Sequence, residues 1–218
     1  MKYSILKNYI YAIGEELVGC RENYEGITRD PQKGIIPRGM ILEEGENGDE
    51  SEGCIASGIN PGIANKWEME KYKEQTISYE RTLTLWKAQI KDVSYYSNLR
   101  SLIRKLGYSG PILWTDLAKC QSTGLKRYPP VETFRRCCNK FLSRELAILP
   151  AIEKWDIIAV GREPYIALSY LYPHRTVIGL THPAAYGDFS RINRKADRLR
   201  GKLSQFKYKS VWLRDLLD

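Results

Sequence analysis

Apolar positions along the chain alternate between helical stripes and short continuous runs. Residues 3 to 18 carry a helical pattern that stops near Gly19, and residues 35 to 42 (IIPRGMIL) read as extended chain around a Pro-Arg-Gly turn. Residues 54 to 57 form a short apolar run that ends abruptly in Gly58-Ile59-Asn60-Pro61-Gly62. Tyr79, Leu83, Trp86 and Ile90 are spaced four, three and four, which places them on one helical face. A second helix is predicted at about 94 to 106, with Tyr96, Leu99, Ile103 and Leu106 inward and Gly107 as its stop. Residues 111 to 115 read as a buried strand. Val131, Phe134, Cys138, Phe141, Leu142 and Leu149 then line one side of a helix closed by Pro150. The alternation continues with a strand at 156 to 160, a helix at 164 to 171, a strand at 176 to 180 and a basic amphipathic helix at 191 to 206.

Strands separated by helices need crossover connections, so the pattern predicts an α/β fold with a mainly parallel sheet covered on both faces. Ligands of such sheets bind outside the carboxyl ends of the strands. Three unusual turns fall at such ends: GINPG (58 to 62), Asp116-Leu117-Ala118-Lys119-Cys120, and Thr181-His182-Pro183. No internal repeat or long linker interrupts the chain, so one domain is expected over residues 1 to 218.

Composition narrows the picture without changing it. At 218 residues the chain buries a sizeable core without disulfide staples, and 43% hydrophobic residues exclude a disordered protein. No apolar run approaches the roughly 18 residues a membrane span requires. Lys7, Asn8 and the pair Glu15-Glu16 interrupt what would otherwise resemble a signal peptide, so a cytoplasmic or nuclear protein is expected. Five cysteines, an odd count, fit a reducing compartment. The formal charge is +8, concentrated from Lys119 to Arg144 and from Ser190 to Asp218, and a polyanion is the natural partner for such stretches. Acids cluster instead at 43 to 52, which reads as a solvated loop inserted in the domain.

The motifs GINPG (58 to 62), ILWTDLAKC (112 to 120), CNKFLSRELAILP followed by DIIAVG (138 to 161) and THPAAY (181 to 186) resemble, in this order, the uracil-DNA glycosylase superfamily. The resemblance covers roughly residues 54 to 190 and implies a three-layer α/β/α domain that cuts the N-glycosidic bond of a flipped base in DNA. It gives Asn60 the task of positioning water, since an amide orients a water molecule but does not deprotonate it. It gives His182 the task of donating to the carbonyl oxygen on which charge develops. Gly58, Ile59 and Gly62 fall at the base, where missing side chains let the backbone approach, and Tyr186 falls where relatives wedge a side chain into the base stack. Read without the resemblance, GINPG is a strand-to-helix turn, His182 a structural histidine and Tyr186 surface packing.

Two residues depart from the family pattern. Relatives usually carry Asn at the position of Asp116. An ionised Asp offers acceptors only, so it favours a base with an exocyclic amino group unless it is protonated. Asp116 as a turn cap, or paired with Lys119 or Arg127, is the plainer alternative. Cluster-bearing families hold four iron and four sulfur atoms with an early CxxC pair and cysteines at the positions of Cys120 and Cys138. Here the early pair reads Cys20-Arg21-Glu22-Asn23, an incomplete ligand set, and the expectation is no cofactor.

The leading expectation is therefore a monofunctional glycosylase, monomeric and bound to DNA but not to membranes. Asn60 and His182 are its catalytic residues, Asp116 reads the base, and Lys119, Lys126, Arg127, Arg191 and Arg194 grip phosphates. A catalytically silent nucleic-acid-binding protein of the same fold is the principal alternative, and a hydrolase of free nucleosides a third.

Overall fold

A strand buried along its whole length requires cover on both faces of its sheet, and β2 (Cys54–Gly58) is such a strand. In the computed structural model, which describes residues 3–45, 50–73, 78–124, 128–147 and 154–217, β2 lies inside a six-stranded sheet. The other strands are β1 (Met40–Glu43), β3 (Ile112–Asp116), β4 (Asp156–Val160), β5 (Val177–Leu180) and β6 (Ser210–Trp212). Their order is β1-β3-β2-β4-β5-β6. All pairings are parallel except that of β1, which runs antiparallel to β3 with Met40 opposite Thr115.

Helices pack around this sheet as an α/β/α sandwich. They are α1 (Tyr3–Val18), α2 (Lys66–Lys73), α3 (Tyr79–Ala88), α4 (Ser94–Lys105), α5 (Val131–Cys137), α6 (Ser143–Ala147), α7 (Arg162–Leu171), α8 (Tyr186–Arg194) and α9 (Ala196–Leu203). α1 packs on α3 and β1, α7 on β4 and β5, and α4 on α9. The predicted inward faces are largely those observed: Tyr79, Trp86, Leu99, Ile103 and Leu106 are all buried. Ser78 caps α3, its side chain accepting from the Arg81 amide at 3.1 Å. Among the described residues no helix is long and apolar enough to cross a membrane.

Several boundaries differ from the sequence pattern for identifiable reasons. The helix predicted from 131 is broken by a π-helical stretch at Cys138–Leu142. An inserted π turn rotates the faces before it against those after it. Val131 is consequently exposed and Cys137 buried, the reverse of the pattern. Leu149 and Pro150 lie outside the described residues. The helix predicted over 191 to 206 starts earlier, at Tyr186, and divides at Lys195. α2 and β6 were not anticipated; β6 is only three residues long and half exposed at the sheet edge, too short to show a period.

The acidic segment is not wholly a solvated loop. Glu43 closes β1, accepts Trp114 Nε1–H at 2.7 Å and forms a bidentate pair with Arg100. Its neighbours at 46 to 49 lie outside the described residues.

Gly179 of β5 shows how tightly the sheet edge is packed. A Cβ there would fall 2.1 Å from the Trp212 ring and 2.6 Å from that of Tyr165. Gly179→Ala should displace Trp212 from the sheet and cost about 1–3 kcal/mol. A chemical-denaturation midpoint, with tryptophan emission shifted to the red in the native state, would check this.

Candidate active site

The chain leaves β2 toward β3 on one side of the sheet and leaves β4 toward β5 on the other, so strand order reverses between β2 and β4. The carboxyl ends at such a reversal diverge and leave a crevice. A cavity of about 500 Å³ occupies this place, and Asn60, Asp116 and His182 all line it. Each comes from the end of a different strand: Asn60 two residues beyond β2, Asp116 the last residue of β3, and His182 two residues beyond β5.

The first two turns are laced together. Leu117 N–H donates to Gly58 O at 3.1 Å and Ala118 N–H to Ile59 O at 3.0 Å, which carries the β2–β3 pairing past the strand ends. Asn60 spends its amide N–H on Pro61 O at 2.9 Å. Its side-chain oxygen is left as an acceptor. Gly58 is required by its neighbour, because a Cβ there would sit 2.5 Å from Asp116 Oδ1. Gly62 has open space where a Cβ would stand.

His182 stands at the cavity rim with its ring tilted over Tyr95, centroids 5.2 Å apart. Its Nδ1 accepts the Ala184 amide at 3.1 Å. That bond leaves no proton on Nδ1, so the neutral ring carries its hydrogen on Nε2 as a donor. Burial of the ring also lowers its pKa and favours this neutral form.

Asp116 is held in a cradle of backbone, with Oδ1 against Gly58 and Oδ2 against Gly39. Desolvation pushes its carboxyl up to about 8, and the nearby Glu145 charge adds to this. Lys119, Arg38 and a hydrogen bond from the Gly58 backbone act the other way but do not cancel the burial.

Lys119 does not face solvent. Its ammonium is buried, 2.8 Å from Glu145 Oε1, and donates to Thr115 Oγ1 at 2.6 Å and to Gly39 O at 3.3 Å. The expected phosphate contact is thereby overturned, since the buried carboxylate of Glu145 needs this cation beside it. Nor is Lys119 spent on Asp116; its hydrogen bonds go to Glu145, Thr115 and Gly39.

The other described cations of the first basic stretch also form ion pairs. Arg135 and Arg136 pair with Glu132, Lys140 with Glu22 and Arg144 with Glu16. Lys126 and Arg127 lie outside the described residues. Arg191 and Arg194, by contrast, are exposed on α8, and neither forms an ion pair among the described residues. Tyr186, at the start of the same helix, is 81% exposed.

Sequence reasoning missed Arg38. It pairs with Glu68 at 3.0 Å, donates to Gln121 Oε1 at 3.3 Å and bonds Gly62 O. Gln121 Oε1 in turn accepts the Ala64 amide at 2.9 Å. Together these bonds fix the segment after Asn60 to the segment after Asp116. The Pro-Arg-Gly turn at 37 to 39 was visible in the sequence, but its contacts across the fold were not. Tyr96, Trp86 and Trp114, which the sequence pattern places in the core, and Tyr95, which it does not single out, form a chain of edge-on and tilted rings along one wall of the cavity.

All five cysteines are free thiols. Cys138 turns away, its thiol donating to Leu117 O at 3.5 Å, and Cys137 takes its place beside Cys120 and Cys20. Cys138 is therefore corrected as a candidate ligand; the π turn sets which thiol faces which way. The fourth place of the early pair is Asn23. Burial pushes the Cys120 thiol up to about 12, and among the described residues no three His, Cys, Asp or Glu side chains come together as a metal site. Three thiols and an amide fall short of the four thiolates that such a group binds.

No model of a known protein family matches the chain, and no curated protein matches it at a significant level.

Two stability effects follow from these contacts. Lys119→Met should cost about 3–5 kcal/mol by leaving Glu145 buried without a counter-charge, and Lys119→Met/Glu145→Leu should recover more than half of that loss; urea melts of the three proteins would check it. Folded Asp116 keeps its proton to about pH 8, whereas an unfolded aspartate loses it near pH 4, so folding takes up a proton between those values. Stability contributed by this group falls as pH rises over that window. Asp116→Asn should therefore gain stability relative to the parent from pH 5 to pH 8, with no further gain above it, as read from thermal midpoints across pH.

Proposed function

We propose that this protein is a DNA glycosylase of the uracil-DNA glycosylase superfamily, hydrolysing the N-glycosidic bond of a deaminated or damaged base. The observation that carries the proposal is the convergence of Asn60, Asp116 and His182, from three separate strand ends, on one cavity. Those are the residues that the motif resemblance singles out for water, base edge and leaving group.

The chemistry follows from their donor and acceptor sets. A flipped base enters the cavity beside the aromatic wall, with its sugar at the rim. As the C1′–N bond lengthens, its electron pair moves onto the base and the sugar becomes an oxocarbenium ion. His182, neutral with Nε2–H outward, donates to the base carbonyl as negative charge develops there. Asn60 Oδ1 accepts a hydrogen from a water molecule and holds it toward C1′; the water adds to the cation and loses its second proton to solvent. Lys119 is ion-paired with Glu145 and does not reach the cavity lining, so it supplies no amine nucleophile, which supports a monofunctional hydrolysis. Arg191 and Arg194 supply cations for phosphates beside Tyr186, which is placed to enter the base stack.

Single-turnover base release from oligonucleotides carrying uracil, hypoxanthine, xanthine and mismatched thymine tests this. Release of at least one of these bases is expected. Asn60→Ala and His182→Ala should each slow it at least about a hundredfold, and the acid limb of the rate should lie below the ordinary imidazole value near pH 6.5 because His182 protonates late. Salt-dependent DNA binding with no base released from any strand would assign the protein to nucleic-acid binding instead.

A further inference from the structure

We propose that Arg38 is a positioning residue for Asn60: its guanidinium fixes the far side of the GINPG turn, and with it the direction in which the Asn60 side-chain oxygen holds water. The proposal rests on the glycosylase reading above and adds to it a residue that precedes all the motifs of the family resemblance.

Asn60 does not anchor its own turn. Its side-chain amide reaches Pro61 O at 2.9 Å, a bond inside the turn that moves with it. The anchors come from elsewhere in the fold. On the near side the Leu117 and Ala118 amides donate to Gly58 O and Ile59 O at 3.1 and 3.0 Å. Beneath, Pro61 lies against Gly39, where a Cβ would fall 3.2 Å from the proline ring. On the far side the Gly62 carbonyl accepts from Arg38 Nη2. Gly62 has open space where a Cβ would stand and Ile63 is exposed, so side-chain packing contributes little there and the guanidinium carries the hold. Two residues on, the Ala64 amide donates to Gln121 Oε1 at 2.9 Å, the same atom that Arg38 Nη1 reaches at 3.3 Å.

Arg38 is itself fixed at both ends. Its backbone N–H donates to Lys119 O at 3.0 Å, in the turn that follows Asp116. Its Nε pairs with Glu68 Oε1 at 3.0 Å, and both side chains are about nine-tenths buried. One side chain thus relates the turn of Asp116 to the turn of Asn60. The three nitrogens of a rigid planar fork serve three segments: α2, the turn after β2 and the segment after β3. A lysine ammonium is a compact point charge on a flexible stem and does not reproduce that division. Because Glu68 holds the charge and the donors are spent within the fold, Arg38 has little to offer a phosphate, and its loss should reach the rate of base release and spare DNA binding.

The test uses single turnovers on an oligonucleotide carrying the base that wild type releases fastest. Arg38→Ala/Glu68→Gln removes the fork without leaving a buried carboxylate unpaired. Its maximal rate should fall about ten- to a hundredfold, while the enzyme concentration giving half that rate moves by less than about threefold. Arg38→Lys should also be slow. In Arg38→Ala, where Glu68 remains to attract a cation, millimolar methylguanidinium should raise the rate severalfold and sodium at equal ionic strength should not. Added to Asn60→Ala, the Arg38→Ala/Glu68→Gln change should slow release no further, because it acts through Asn60. Losses that multiply, a loss seen only in the half-saturating concentration, or a rate unmoved by methylguanidinium would overturn the proposal while leaving the glycosylase standing. The turn is also read without catalysis. The ¹H–¹⁵N signals of the Asn60 side-chain amide, identified by their absence from Asn60→Ala, should shift in Arg38→Ala/Glu68→Gln even if wild type releases no base from any strand. Signals that stay in place would overturn the proposal.

Discussion

The ion pair between Lys119 and Glu145 is the contact on which the geometry at the strand ends depends. Glu145 belongs to α6, Lys119 to the turn after β3, and the shared bonds to Thr115 and Gly39 reach β3 itself and the approach to β1. One buried pair therefore fixes a helix, the end of β3, the turn that follows it and the approach to β1. Its energetic balance is delicate, because desolvating two charges costs several kcal/mol that only close geometry and complete hydrogen bonding offset. What it secures is position. Asp116 follows Thr115 in the chain, so whatever holds Thr115 and Lys119 also sets where the Asp116 carboxyl can lie.

The same pair shows why electrostatics was the least legible part of this chain. Charges can be counted in a sequence, but their partners cannot. The stretch from Lys119 to Arg144 looks like a basic surface, and in the fold two of its cations answer acids far away in the chain, Arg144 meeting Glu16 and Lys140 meeting Glu22, while Arg135 and Arg136 share the nearby Glu132. Surface pairs of this kind add little stability. They do weaken the local field, whereas Arg191 and Arg194 of α8 stand exposed, outside any ion pair among the described residues, on the helix that begins with the exposed Tyr186.

The architecture was more accessible because it is written in local patterns. Short, mostly apolar runs at 54 to 57, 111 to 115 and 156 to 160 read as strands buried on both faces, and the spacing of Tyr79 and Trp86, or of Leu99, Ile103 and Leu106, gives one helical face. From these, the parallel sheet and the position of its carboxyl ends follow, and with them the neighbourhood of Asn60, Asp116 and His182. The pattern failed where geometry departs from a fixed period. The π turn at Cys138–Leu142 exchanged the roles of Cys137 and Cys138, and the brace formed by Arg38 joins segments more than eighty residues apart, which no window of sequence can reveal.

That brace also sets the character of the cavity. Arg38, a cation lining it, is bound on several sides by Glu68, Gln121 and the Gly62 carbonyl, and the histidine at the rim is neutral. The interior thus meets a guest with dipoles and aromatic faces and offers no unengaged positive charge. An uncharged heterocycle can shed its water there at modest cost, whereas a phosphate drawn inside would lose its hydration with nothing to replace it. Such a chamber suits an uncharged ring better than an anion.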